Sequence, residues 1–310
     1  MELSELAQRV DRLAERVAAI EMQRTAPHSG APHSCAPQPG APAADTPPWQ
    51  MDDARLHELM DELHAGVKRD SAAALRFDAP AGGCYLSAHA RNVSRVAMLI
   101  ALKHGLSDAS VRAVGLCGLL HDAGMESLPH GLLEAGRPLT PDEFRQVRLH
   151  PANGADLVRE QFRFGGLLDS VIPLAIEQHH ERADGSGYPH GLPAARIHDF
   201  ARVLSVADSF EAMTTPRPFR AARHPAQAMR SLLLQGCKTA RGAMYDRGVL
   251  KSFPWAASLY PLGCEVELSD GRRARVTQAT DDPKRPVVKT AGRGGETIDL
   301  TRTASLAVKE

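Results

Sequence analysis

Residues 111–124 read VRAVGLCGLLHDAG, and the reading of this stretch decides the fold. Apart from Arg112, residues 111–120 are apolar or glycine. A helix that is apolar on nearly all sides is buried. The chain is therefore expected to have a helical core with this segment running through it. The helix closes on His121-Asp122, followed by Gly124. A buried imidazole beside a buried carboxylate is costly unless the two are paired or bind a metal. The dipeptide alone carries little information, and a second one, His198-Asp199, stands further on. That second pair opens a helix, where Asp is a favourable N-terminal residue, and reads as structural.

Working outward, helical spacing continues from about residue 50 to 257. Residues 51–67 (MDDARLHELMDELHAGV) and 88–106 (AHARNVSRVAMLIALKHGL) are helices, the latter ending at Gly105. Thr140-Pro141-Asp142-Glu143 is a capping box with proline in the first helical position, starting a helix expected to run through His150. Residues 171–181 (VIPLAIEQHHE) form a helix that ends at the turn-rich loop 182–193, RADGSGYPHGLP. Residues 197–215 (IHDFARVLSVADSFEAMTT) form the next helix. After Tyr260-Pro261 the period changes to two. Residues 264–269 (CEVELS) and 272–280 (RRARVTQAT) flank Asp270-Gly271 as a hairpin, and RPVVKTA and ETIDL are further strands. The expected fold is mainly α: a helical domain over 50–257 with a small β-barrel or sandwich over 258–310.

The N-terminal region differs. Leu3, Leu6, Val10, Leu13, Val17 and Ile20 form a heptad seam over about three heptads, which suggests a short coiled coil and a homodimer through residues 3–20. Residues 25–49 are rich in Pro, Ala, Gly and Ser and read as a linker, so His28 and His33 are linker residues.

Composition narrows the function. Lys+Arg and Asp+Glu are both 37, so the formal charge is zero and neither nucleic acid nor a membrane surface is an expected partner. No apolar run reaches the roughly 20 residues of a membrane span. Five cysteines, with no C-x-x-C, fit a reducing cytoplasm. Histidine, at 14, is the residue out of line. His179-His180 end a helix, where both can serve a metal centre or stand as two surface histidines. His89 begins an apolar helix, and Asp208 lies mid-helix in LSVADSF, where a carboxylate needs a partner. With His121, Asp122 and His150 these make an imidazole and carboxylate set without thiolate, which suits Mn or Fe, with Zn, Ni or Co as alternatives. A bundle core that gathers ligands from several helices is a way to hold two metals.

The order of motifs resembles the HD-GYP family of cyclic di-GMP phosphodiesterases over about residues 80–235. It runs through His89, His121-Asp122, HPANGA from His150, HHERADGSGYP from His179 to Pro189, Ala207-Asp208 and RPFR from Arg217 to Arg220. The resemblance implies an enzyme of bacterial signal transduction with two divalent cations. His89, His121, Asp122, His150, His179, His180 and Asp208 would be the ligands. Asp122 would bridge, with His89, His121 and Asp208 on one metal and His150, His179 and His180 on the other. His121 and Asp122 would form the catalytic pair at a bridging hydroxide that cuts cyclic di-GMP to pGpG, with GMP after a second cut. Gly187, Tyr188 and Pro189 would form a lip over the site that also meets GGDEF-domain partners, and Arg217 and Arg220 would contact substrate.

Three positions depart from the family pattern. Met125 stands where many members carry the lysine of HDxGK. Ala135 replaces a second basic residue, with Arg137 nearby, and Tyr85 replaces a glutamate linked to a third metal. The ligand set supports a phosphodiesterase. Met125 and Ala135 support an alternative, a metal-binding sensor or scaffold acting through protein partners. A hydrolase of a dNTP or an alarmone is a third reading, opposed by the length of the GYP signature.

Overall fold

The computed structural model describes residues 46–70, 75, 77, 85–129, 132, 137, 139–216, 221–223, 225–237, 242–257, 260, 263–280, 282, 284–292 and 294–309. The heptad seam, His28, His33, Ala135 and the RPFR stretch with Arg217 and Arg220 lie outside the described residues.

The stretch that set the expectation forms helix α3 (Asp108–Leu120), preceded by α1 (Asp53–Arg69) and α2 (Tyr85–His104). Ser107 caps α3 by accepting from the Ser110 amide. Nearly all of α3 is buried, from Val111 to Leu120. Two glycines let it approach its neighbours closely. A Cβ on Gly118 would meet the Ser94 Cα of α2 at 2.6 Å, and one on Gly115 would meet the Met60 and Met98 side chains at 2.8 Å. Ser94 Oγ donates to the Gly115 carbonyl, so the polar side chain inside this contact is satisfied. Each fully buried Leu or Ile here, such as Leu119, Leu120 and Ile100, contributes roughly 1.5–3 kcal/mol.

Further helices complete the body: α4 (Pro141–Val147), α5 (His150–Gln161), α6 (Leu168–Glu177), α7 (Asp199–Thr214), α8 (Pro225–Gln235) and α9 (Arg247–Ala257). Helix α7 packs on α2, and α5 packs on α6 and on the short 3-10 turn Ala123–Ser127. The second His-Asp pair is structural as expected. Asp199 opens α7, and the His198 ring accepts from the Phe200 amide.

Two expectations are corrected. The capped helix does not run through His150. It stops at Val147, and His150 starts a new helix. The cause is Pro151, which lacks an N–H and whose ring would clash with the carbonyl of Val147 in a continuous helix. The Pro/Ala-rich linker does not extend to residue 49. Pro48–Gln50 form a 3-10 turn, Trp49 is in the core, and Ser87 donates to the Thr46 carbonyl. The C-terminal region, expected as a small β-barrel or sandwich, holds an antiparallel sheet. β1 (Glu265–Glu267), β2 (Arg273–Gln278), β3 (Val287–Thr290) and β4 (Thr297–Asp299) follow one another across it in sequence order. The terminal segment pairs with β1 on its other side, through a Leu268–Val308 bridge and a bond from the Lys309 amide to the Glu267 carbonyl. Among the described residues no helix is long and apolar enough to cross a membrane.

Candidate metal centre

Five elements deliver the candidate side chains to one place. His89 comes from the first turns of α2, and His121 and Asp122 from the end of α3. His150 opens α5, His179 and His180 follow the end of α6, and Asp208 lies in the middle of α7. Every one of these is buried except His180, which is half-buried. The approach depends on a glycine pair. A Cβ on Gly154 of α5 would meet the Gly124 amide at 2.9 Å, so the turn after Asp122 lies directly on the helix that carries His150.

The ring orientations are fixed from behind. Carbonyl oxygens only accept, so His121 Nδ1 donates to Gly118 O at 2.9 Å, His150 Nδ1 to Val147 O at 2.7 Å and His179 Nδ1 to Ile176 O at 2.6 Å. Each acceptor lies three residues back in the chain, at a helix end where carbonyls lack intrahelical partners. The Nε2 lone pairs of these rings are thereby free to point inward, which is how a bond at the other ring nitrogen prepares a histidine ligand. The break before His150 has the same effect, since it frees the Val147 carbonyl.

Asp122 lies between two groups. Its Oδ2 is 3.5 Å from His89 Nε2 and 3.4 Å from His121 Nε2, while its Oδ1 is 3.4 Å from His150 Nε2. Asp208 Oδ1 is 3.4 Å from His89 Nε2, and its Oδ2 is 3.9 Å from His180 Nδ1. His150 and His179 bring their Nε2 atoms to 3.3 Å. Two groups each have ligand atoms within 4.8 Å of one another: His89, His121 and Asp122, and His150, His179 and His180. The buried Nε2 of His121 lacks a hydrogen bond of acceptable geometry. An orphaned buried nitrogen facing carboxylates, with lone pairs converging from other rings, fits divalent cations.

Electrostatics separate the groups. Burial works against the Asp122 carboxylate, yet His121, His150 and His89 hold its pKa well below the ordinary value. Asp208 is also lowered against the pull of burial, chiefly by its bond to His89. Burial would lower His89, but Glu211 and Asp208 raise it well above its usual value. In the other group burial dominates. It lowers His150, lowers His179 strongly with help from neighbouring histidines, and pushes His180 down to about 3.

Two glutamates that sequence reasoning did not single out complete the site. Glu211, fully buried on α7, accepts from His89 Nδ1 at 2.5 Å, Asn92 Nδ2 at 3.1 Å and Thr215 Oγ1 at 2.8 Å. Its signal was its place one helical turn after Asp208, on the same face. Glu181, within HHE, accepts from the His190 and Leu192 amides at 2.7 and 2.9 Å and so ties the glycine-rich loop to the end of α6. In that loop Gly187 lies where a Cβ would meet the His180 carbonyl and Glu181 Cα at 2.5 Å. Tyr188 is thereby laid against His180, ring centroids 4.6 Å apart, and the Tyr188–Pro189 peptide is cis. Arg148 lies over the Tyr188 ring, 5.0 Å from its centroid.

A family model described as the HD domain matches residues 83–247, more than half of the chain. The chain belongs to the HD-domain family. It is 34% identical over 223 residues to a cyclic di-GMP phosphodiesterase of Pseudomonas aeruginosa, covering 72% of this chain and 51% of that protein. It is 37% identical over 161 residues to the response regulator RpfG of Xanthomonas campestris, a cyclic di-GMP phosphodiesterase, covering 52% of this chain and 40% of that one. The chain thus spans about half or less of the length of these relatives. A solved structure of an HDG"Y"P protein from Bdellovibrio bacteriovorus shares the fold, with a TM-score of 0.52 at 20% identity, covering 64% of this chain and 61% of that one.

Proposed function

We propose that this protein is a metal-dependent phosphodiesterase that hydrolyses cyclic di-GMP to pGpG, and to GMP if a second cut follows. The observation that carries the reading is the division of Asp122, whose two oxygens face different sets of imidazole nitrogens. On this reading His89, His121, Asp122 and Asp208 hold one cation, and Asp122, His150, His179 and His180 hold the other. Iron or manganese suits this imidazole and carboxylate set. When bound, two such cations polarise a phosphodiester and make hydroxide available from water near neutral pH. In the hydrolysis one P–O bond to a ribose oxygen breaks, a new P–O bond to the water oxygen forms, and the leaving oxygen takes up a proton.

The chain's own residues do the positioning. The carbonyls of Gly118, Val147 and Ile176 hold three rings in the ligating tautomer, and Glu211 holds His89. The low pKa values of Asp122 and Asp208 keep both carboxylates ionised at neutral pH. Tyr188, with Gly187 and Pro189, forms a lip beside His180 that is proposed to bind substrate and to meet GGDEF-domain partners. Arg217 and Arg220 remain proposed substrate contacts, and residues 3–20 a proposed homodimer contact.

The test is turnover by the purified chain with Fe(II) or Mn(II) under anaerobic conditions, followed by chromatography of the products. Conversion of cyclic di-GMP to pGpG is the expected result, and metal-loaded protein that leaves it intact would overturn the reading. One feature favours a second reading, a metal-binding sensor or scaffold. Met125, three residues past Asp122, is half-buried and cannot balance a phosphate charge. Under that reading the wild type binds metal without turnover, and Met125→Lys gains activity.

A further inference from the structure

Three described arginines lie along the segment leading into His150, and they differ in what holds them. Arg137 makes a two-pronged bond to Glu143, and Arg145 pairs with Asp142. Arg148 is exposed and has no carboxylate partner among the described residues. Its guanidinium rests instead on the Tyr188 ring, 5.0 Å from the centroid. Tyr188 in turn lies 4.6 Å from the His180 ring and 6.5 Å from that of His150. Arg148 is therefore one aromatic layer away from the metal centre. A cation–π contact does not consume the N–H donors of a guanidinium, whose fork geometry matches phosphate. The other described arginine at this loop, Arg182, is already engaged. It bonds the His179 and Glu181 carbonyls and Ser205 Oγ, and it lies over Tyr245.

We propose that Arg148 binds the phosphate of the cyclic dinucleotide that is not being cut, an inference that rests on the phosphodiesterase reading above. A cyclic dinucleotide carries two phosphodiesters on opposite sides of its ring. When one reaches the Nε2 atoms around Asp122, the other faces outward. Tyr188 separates Arg148 from those nitrogens, so Arg148 suits the outer phosphate and not the reacting one. It is a substrate-binding residue on this view.

The experiment compares the wild type, Arg148→Gln and Arg148→Lys, all metal-loaded, on cyclic di-GMP at low and high salt. Bis(p-nitrophenyl) phosphate, which has a single phosphodiester, serves as the second substrate. For Arg148→Gln, KM for cyclic di-GMP rises about tenfold, as expected for one charge-assisted bond, while kcat stays within about twofold. The salt dependence of KM flattens in the same variant. Arg148→Lys recovers most of the KM, and activity on the small diester is unchanged. An unchanged KM, or equal losses on both substrates, would overturn the proposal. If the wild type does not cleave cyclic di-GMP, the hydrolase reading fails, and calorimetric binding of cyclic di-GMP then decides the role of Arg148. Binding about tenfold weaker in Arg148→Gln supports that role, whereas equal binding, or none in either protein, overturns it.

Discussion

On one side of Asp122, His89 and His121 face carboxylates. On the other, His150, His179 and His180 face mainly one another. The first group comes from α2, α3 and α7, where Glu211 backs His89 and Asp208 lies beside it. Its electrostatics raise the His89 and His121 pKa values despite burial. The second group comes from α5 and the turn after α6, where burial wins and all three imidazoles are lowered. The difference teaches that a carboxylate facing both sides joins two groups of unlike character. One is rich in negative charge, and the other is an imidazole cage that is neutral before any cation arrives.

The sharpest way to break the comparison is to remove what the halves share. Asp122→Asn keeps the shape but loses the negative charge and one oxygen acceptor. We expect metal content to fall from about two ions per chain toward zero and hydrolysis to fall below detection, read by elemental analysis and product chromatography. His179→Ala should remove only the imidazole half and leave one cation bound. Loss of both ions in His179→Ala, or retention of both in Asp122→Asn, would show that Asp122 is not the shared element.

A smaller effect is expected behind the carboxylate half. Glu211→Gln keeps the contacts to Asn92 and Thr215 in outline but removes the charge facing His89 Nδ1. Changing a group that bonds the far nitrogen of a histidine ligand typically costs about 10–100-fold in metal affinity or activity. The loss should appear as weaker binding of one cation, measured by metal titration, with the second unaffected.

The smallest effect concerns protons. At neutral pH the raised pKa of His89 means that a cation must displace a proton there, so binding to the carboxylate half strengthens as pH rises toward that pKa. The lowered values of His150, His179 and His180 leave the imidazole half fewer protons to release, so its affinity changes less with pH than that of the carboxylate half. Calorimetry in buffers of different ionisation enthalpy checks this. Proton release of equal size from both halves would remove the electrostatic distinction.

Much of this was legible in the sequence. The buried run before His121-Asp122 and the mid-helix Asp208 each broke a local rule about polar groups in apolar surroundings, while His179-His180 stood out by their place at a helix end, and all three come together in the structure. Strand positions after Tyr260 were legible from period-two alternation and the Asp270-Gly271 turn. The break before His150 was written in Pro151, but the capping box upstream gave a continuous helix the stronger local signal. The pairing of the terminal segment with β1 was not legible, because strand periodicity reports faces and says nothing about which edges pair.

The sequence by itself therefore determined which residues had to find partners, since an unpaired buried imidazole or carboxylate is too costly to keep. The motif order added the family. Only the tertiary structure decided how those residues divide. The Gly124–Gly154 approach places His150 against Asp122, the carbonyls of Gly118, Val147 and Ile176 choose the tautomers, and Glu211 closes behind His89. These are distances between elements far apart in the chain. They depend on how helices pack around small residues, which no local pattern in 111–124 records.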